Sequence, residues 1–258
     1  LSYLSQFYID QFLIFTLVLF RVSGLVMTAP VFGTSEVPAR IRGLLAFSLA
    51  VLILPLQWGR SFDYPGNLIN YLVMVGAETL IGLTLGMGIT LLFSGVQVAG
   101  QVISQMSGMQ LADVFNPGFD ANVPVFSQLL FYVSMAVFVI IGGHRKVMEA
   151  LLDTFHWLPP GWSGIPASLT ETMITILTQS FSLGIRSAAP AMTALLLATL
   201  VLGLIGRTLP QLNVMALGFG LNSLVTLGAL SLSLGAIAWI FQQQVDPVLE
   251  LLVGTFKP

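Results

Sequence analysis

Charge is what this chain has least of. Only 8% of its 258 residues are Asp, Glu, Lys or Arg, against about a quarter in an ordinary soluble domain. Cysteine is absent, which excludes disulfides and thiolate metal sites. Two histidines, His144 and His156, are too few for a His-based metal site without distant carboxylates. A net charge of -2 with no basic stripe argues against a nucleic-acid partner. No phosphate-binding loop is present: Gly82, Gly86 and Gly88 lack the lysine such a loop needs. No serine sits in a nucleophile elbow. No catalytic residue, cofactor or metal is therefore expected, and an enzyme is not. The N-terminal stretch lacks a cationic segment before its apolar run, so no cleavable signal peptide is expected.

What is present is apolar. Hydrophobic residues make up 56% of the chain, and mean hydropathy is +0.93. A globule of this length cannot hide that fraction, so the remainder must meet lipid or other subunits. The charges fall mainly where apolar runs break: at Arg40 and Arg42, at Arg60 and Asp63, at Arg145 and Lys146, and at Arg207. The runs cover residues 12–29, 43–58, 68–93, 125–143, 187–206 and 214–241, with a shorter helix expected over 147–158. Pro190 reads as a helix start. Gln242 to Gln244, Asp246 and Pro247 read as the beginning of a tail. The pattern predicts an all-α chain of long broken helices and helical hairpins in or beside a bilayer.

Arg21 and Glu78 are exceptions, each inside an apolar run. Alone in hydrocarbon, a central charge costs about 2.5–3.5 kcal/mol on insertion scales. Pairing with each other would relieve both; so would backbone carbonyls, Gln side chains or another subunit. Gly82 and Gly86 form a small-xxx-small pair that would let another helix approach. Gln97, Gln101 and Gln105 recur every fourth residue and share one helical face. That stripe fits interhelical hydrogen bonds or a wet, narrow interior.

Residues 107–124 cannot form a continuous helix. Gly108, Asn116-Pro117-Gly118 and Pro124 break it, yet Met109, Phe115 and Phe119 give it unusual bulk. Such a loop packs into protein or lies across a cavity. Cations after runs 12–29, 43–58 and 125–143, and on both arms of the last hairpin, conflict with alternating spans under the positive-inside rule. Either some runs do not cross, or their apolar faces meet protein.

Several blocks together resemble the FliR family of the flagellar type III export gate. They are Phe20-Arg21-Val22-Ser23-Gly24, Ala29-Pro30-Val31-Phe32-Gly33 with Pro38 and Arg42, Gly100-Gln101 with Gln105-Met106, Gly142-Gly143-His144, and Arg207-x-x-Pro210-Gln211-x-Asn213. The resemblance implies a FliP-like part, residues 1–165, fused to a FliQ-like hairpin and tail, residues 166–258, with its turn at Arg207, Pro210, Gln211 and Asn213. It implies FliP-, FliQ- and FlhB-like partner subunits in a helical assembly, with unfolded exported proteins as cargo and contact with membrane lipid. The implied location is the inner membrane at the flagellar basal body, much of the complex lying on the periplasmic side. The family also places an irregular loop inside the channel as a plug. Residues 106–122 match it, including Met106, Met109, Phe115, Asn116, Pro117 and Phe119. A small-molecule secondary transporter and a purely structural assembly factor are the alternative readings. Broken helices with an intramembrane Arg and Glu would also suit the transporter.

Overall fold

The computed structural model describes residues 3–33, 37–57, 66–108, 124–161, 164, 166–209, 211 and 214–257. Among these there is no strand. The helices are α1 (Tyr3–Thr28), α2 (Pro30–Gly33), α3 (Ala39–Ile53) continued by a 3-10 segment (Leu54–Gln57), α4 (Leu68–Ser107), α5 (Val125–Ile140), α6 (Gly143–Trp157), α7 (Leu169–Thr208) and α8 (Val214–Gly254). The fold class is therefore all-α with long apolar helices, as the composition requires. Among the described residues, five helices are long and apolar enough to cross a membrane.

Three helices run further than local signals indicate. Residues 68–107 form one helix of 40 residues rather than two. Gly95 does not break it, and it stops only where Gly108 takes φ 76, a left-handed conformation that glycine adopts without steric cost. Pro190 lies inside α7, and Pro247 lies inside α8 rather than opening a tail. Proline removes the bond to the carbonyl four residues earlier, here that of Arg186 or Gln243. Both prolines and both of those residues are on exposed faces, so the freed carbonyls are accessible to outside donors.

The chain divides into two compact units, which α4, α7 and α8 each run through. The first comprises Leu1–Leu91, Gly142–Ile176 and Asp246–Pro258; the second comprises Leu92–Ile141 and Leu177–Val245. In the first, α1 lies against α4 at glycines. A Cβ on Gly82 would strike the Arg21 carbonyl, and one on Gly86 would strike the Thr28 hydroxyl. The Thr90 hydroxyl donates to the Thr28 carbonyl at 2.7 Å, meeting an acceptor that the end of α1 leaves open. Leu17, Val18, Val22 and Leu25 of α1 are buried, as are Ile81 and Leu85 of α4 and Leu151 and Phe155 of α6.

In the second unit Phe93 is the centre of an aromatic cluster. Its ring lies 5.6 Å from Phe131, 5.5 Å from Phe138 and 5.1 Å from Phe241. These separations fall in the favoured range for tilted and edge-to-face pairs. A Cβ on Gly184 of α7 would meet the Gly95 carbonyl of α4 at 2.6 Å. The Ser127 hydroxyl of α5 donates to the Gln97 carbonyl at 2.8 Å. Of the most apolar stretch of each long helix, 61% is buried in α4 and 44% in α1, against 17–28% in α3, α7 and α8.

Candidate functional site

The Arg21 and Glu78 side chains, from separate apolar runs, meet in the interior. Both are 0% exposed, and Arg21 Nε donates to Glu78 Oε2 at 2.5 Å. Arg21 Nη1 donates to the Thr154 hydroxyl at 3.2 Å, and Nη2 donates to the Leu158 carbonyl at 3.0 Å. The guanidinium also lies 4.2 Å from the centre of the Phe155 ring, within cation–π range. The second carboxylate oxygen of Glu78 accepts from the Gly161 backbone N–H at 2.9 Å. Thus α1, α4, α6 and the Pro159-Pro160-Gly161 turn are tied through one ion pair. Gly161 has φ 97, which makes that turn's backbone available to glycine. Each charge has directional partners, the condition under which burial of a pair is tolerated.

Sequence reasoning supplied the two charges but not Thr154, Phe155, Leu158 or Gly161. Thr154 and Leu158 share a face four residues apart, and the Pro-Pro-Gly break follows. That spacing was visible, but nothing in it says which helix the face meets.

The amide stripe divides. Gln97 is half-buried, while Gln101 and Gln105 are exposed on the second half of α4. Met106 is half-buried in the last turn of α4. Met109, Phe115, Asn116, Pro117 and Phe119 lie outside the described residues. Arg207, in the last turn of α7, is exposed, as is Gln211 beyond it. Pro210 and Asn213 lie outside the described residues.

One charged feature was not anticipated. A groove of about 560 Å³ between α6 and the end of α8 is lined by Lys146, Glu149, Asp153, Asp246, Glu250 and Lys257 over Ala150, Leu249 and Val253. Lys146 and Asp246 form an ion pair across it at 2.5 Å. The signal was available: Asp246, Glu250 and Lys257 recur at helical spacing, but Pro247 made that stretch read as a tail. No group of three or more His, Asp or Glu among the described residues is placed to hold a metal ion.

Comparison with known proteins gives a consistent match. The family model described as bacterial export proteins, family 1, matches residues 12–248. The chain is similar to the flagellar biosynthetic protein FliR of Escherichia coli (strain K12), at 31% identity over 91% of this chain and 89% of the relative. It is similar to FliR of Aquifex aeolicus (strain VF5), at 30% identity over 96% of this chain and 97% of the relative. FliR of Bacillus subtilis (strain 168) is 29% identical over 84% of this chain and 85% of the relative. The match takes in Arg21 and Glu78, and the chain belongs to bacterial export proteins, family 1, alongside the FliR proteins.

Proposed function

We propose that the chain is a subunit of the flagellar protein export gate in the bacterial inner membrane. In this reading it helps to form and close a protein-conducting channel. The observation that carries the assembly is helix length. Helices α4, α7 and α8 have 40, 40 and 41 residues, about 60 Å each at 1.5 Å per residue. The hydrocarbon core is about 30 Å thick. Apolar side chains are exposed on α7 from Ile174 to Ile185 and again from Leu196 to Leu204, on either side of the exposed Arg186. What extends beyond the bilayer must be covered by protein. Neighbouring subunits of the FliP, FliQ and FlhB kinds, standing partly on the periplasmic side, supply that cover. The same arrangement removes the conflict with the positive-inside rule, because such faces need not cross lipid.

On this reading residues 1–165 are the FliP-like part, and α7 with α8 forms the FliQ-like hairpin turning near Arg207. Arg21 and Glu78 hold the first part together and take no part in transport. Residues 106–122 form the plug. Its glycines and prolines do not suit a continuous helix, so backbone groups there would need water or local partners, while Met109, Phe115 and Phe119 favour apolar surroundings. A loop projecting into a narrow lumen meets both demands, and an apolar constriction closes a pore by dewetting. The test is a deletion within residues 108–119, or Phe115→Gly with Phe119→Gly, in the co-expressed complex. The expected outcome is ion leakage through an assembled gate. Unchanged conductance with assembly confirmed removes the plug from the mechanism.

A further inference from the structure

We propose that Gln101 and Gln105 of α4, with Gln128 and Tyr132 of α5, hold an extended exported chain by its backbone as it passes. The proposal rests on the channel reading above and adds which surface touches the cargo and through which groups.

The exposed surface of α4 changes chemistry along its length. Toward its start it shows Leu68, Ile69, Leu72, Val73, Leu80 and Met87. Over residues 92–107 only Gln101 and Gln105 are exposed. Neither amide has a hydrogen-bond partner among the described residues. Helix α5 enlarges the patch. It runs antiparallel to α4: Gly100 packs on Ser127, and Phe93 reaches Phe131 and Phe138. Gln101 and Gln128 each follow a contact residue by one position, which in an antiparallel pair turns them to the same side. Gln105 and Tyr132 lie one turn further along their helices. All four are exposed, and Gln128 Nε2 donates to the Tyr132 hydroxyl at 3.4 Å. Neither α5 nor this half of α4 carries a charge.

Such a face suits one kind of occupant. Lipid chains offer an amide no partner. A packed helix has its main-chain groups already paired, whereas an extended polypeptide presents free N–H and C=O groups along its length. A glutamine amide both donates and accepts, so it bonds either group whatever side chain follows. Spacing agrees: Gln101 and Gln105 stand about 6 Å apart along the helix axis, and equivalent groups on one edge of an extended chain recur about every 6.7 Å. Absence of charge lets acidic and basic segments pass alike. Position agrees as well, since Gln105 adjoins Met106, where the residues read as the plug begin. A helix that delivers a plug to the lumen brings its last turns to the lumen wall. Elsewhere in the same unit the exposed faces are apolar, as at Ile140, Phe181 and Leu232, and these suit neighbouring subunits.

The absence of cysteine makes the test direct. Gln101→Cys, Gln105→Cys and Gln128→Cys are labelled with benzophenone maleimide in the co-expressed gate. An exported flagellar protein, fused to a domain too tightly folded to pass, is trapped there and shown to co-purify before illumination. Leu232→Cys is the control on an apolar face, and Phe115→Cys reports the loop. The three amide positions should cross-link the trapped cargo at severalfold the yield of Leu232→Cys. If they reach only gate subunits while Phe115→Cys reaches cargo, the face is an interhelical contact: the proposal falls and the channel stands. Retained cargo captured at none of these positions overturns the channel reading and the proposal with it. A second measurement uses Gln101→Leu with Gln105→Leu, which removes both amides from assembled gates. Export of an acidic and a basic cargo should fall alike, by about two- to tenfold. An unchanged rate, or a loss confined to one cargo, refutes recognition through the backbone.

Discussion

Removing Arg21 tests the buried network most sharply. In Arg21→Met the methionine keeps much of the stem volume but loses the charge. Three hydrogen bonds vanish, to Glu78, Thr154 and Leu158, together with the contact to Phe155. Glu78 stays fully buried with only the Gly161 N–H as partner. Breaking a buried pair from one side costs about 3–5 kcal/mol. That is roughly 150- to 5000-fold in the folded fraction, against a total stability of about 5–15 kcal/mol. Adding Glu78→Leu removes the stranded charge. The Leu158 carbonyl and Gly161 N–H stay unmet at about 1–3 kcal/mol each, so recovery is partial. The double variant should nevertheless be more stable than Arg21→Met alone. The assay is a double-mutant cycle on the thermal midpoint and yield of the co-expressed complex in detergent. Conductance per assembled complex should not change. Losses that simply add, or a double variant worse than either single, would refute the coupling. Altered conductance in fully assembled gates would refute the purely structural role.

Three further outcomes follow from other contacts. Gly82→Ala should destabilise by about 1–3 kcal/mol, because the new Cβ meets backbone and no rotamer change relieves it; Gly76→Ala, with nothing within 4 Å, should be neutral or stabilising by up to about 1 kcal/mol, and thermal midpoints compare the two. Lys146→Gln should cost no more than about 1 kcal/mol, since the Lys146 and Asp246 side chains are 36% and 58% exposed, and added salt should shrink the difference in midpoint. Expressed without partner subunits, the chain should aggregate or be degraded, because side chains such as Leu232 and Ile140 are more than 80% exposed. A monodisperse, fully helical monomer on size exclusion in detergent would count against the assembly.

The amino-acid sequence alone determined the class of this protein. So little charge and so much apolar surface leave long helices that need lipid or protein around them, and two lone charges among apolar residues call for a buried partner. The family blocks were legible because they are local strings. Where helices end was less legible: Gly95, Pro190 and Pro247 carry strong local break signals. Long helices pass all three because exposure or close packing satisfies what each residue removes. Tertiary structure alone decided which helices touch. Arg21 meets Glu78 across 57 positions of sequence and Leu158 across 137, and no periodicity encodes such separations. The glycines at 82, 86, 95 and 184 look alike in the sequence to Gly76, yet only the backbone opposite each one says whether a methyl group fits. Hydropathy marks both α3 and α7 as apolar enough to span a membrane, because it records what a residue is and not what surrounds it. Only the fold shows that α3 buries a single stripe, Ala46, Ala50 and Ile53, against α1.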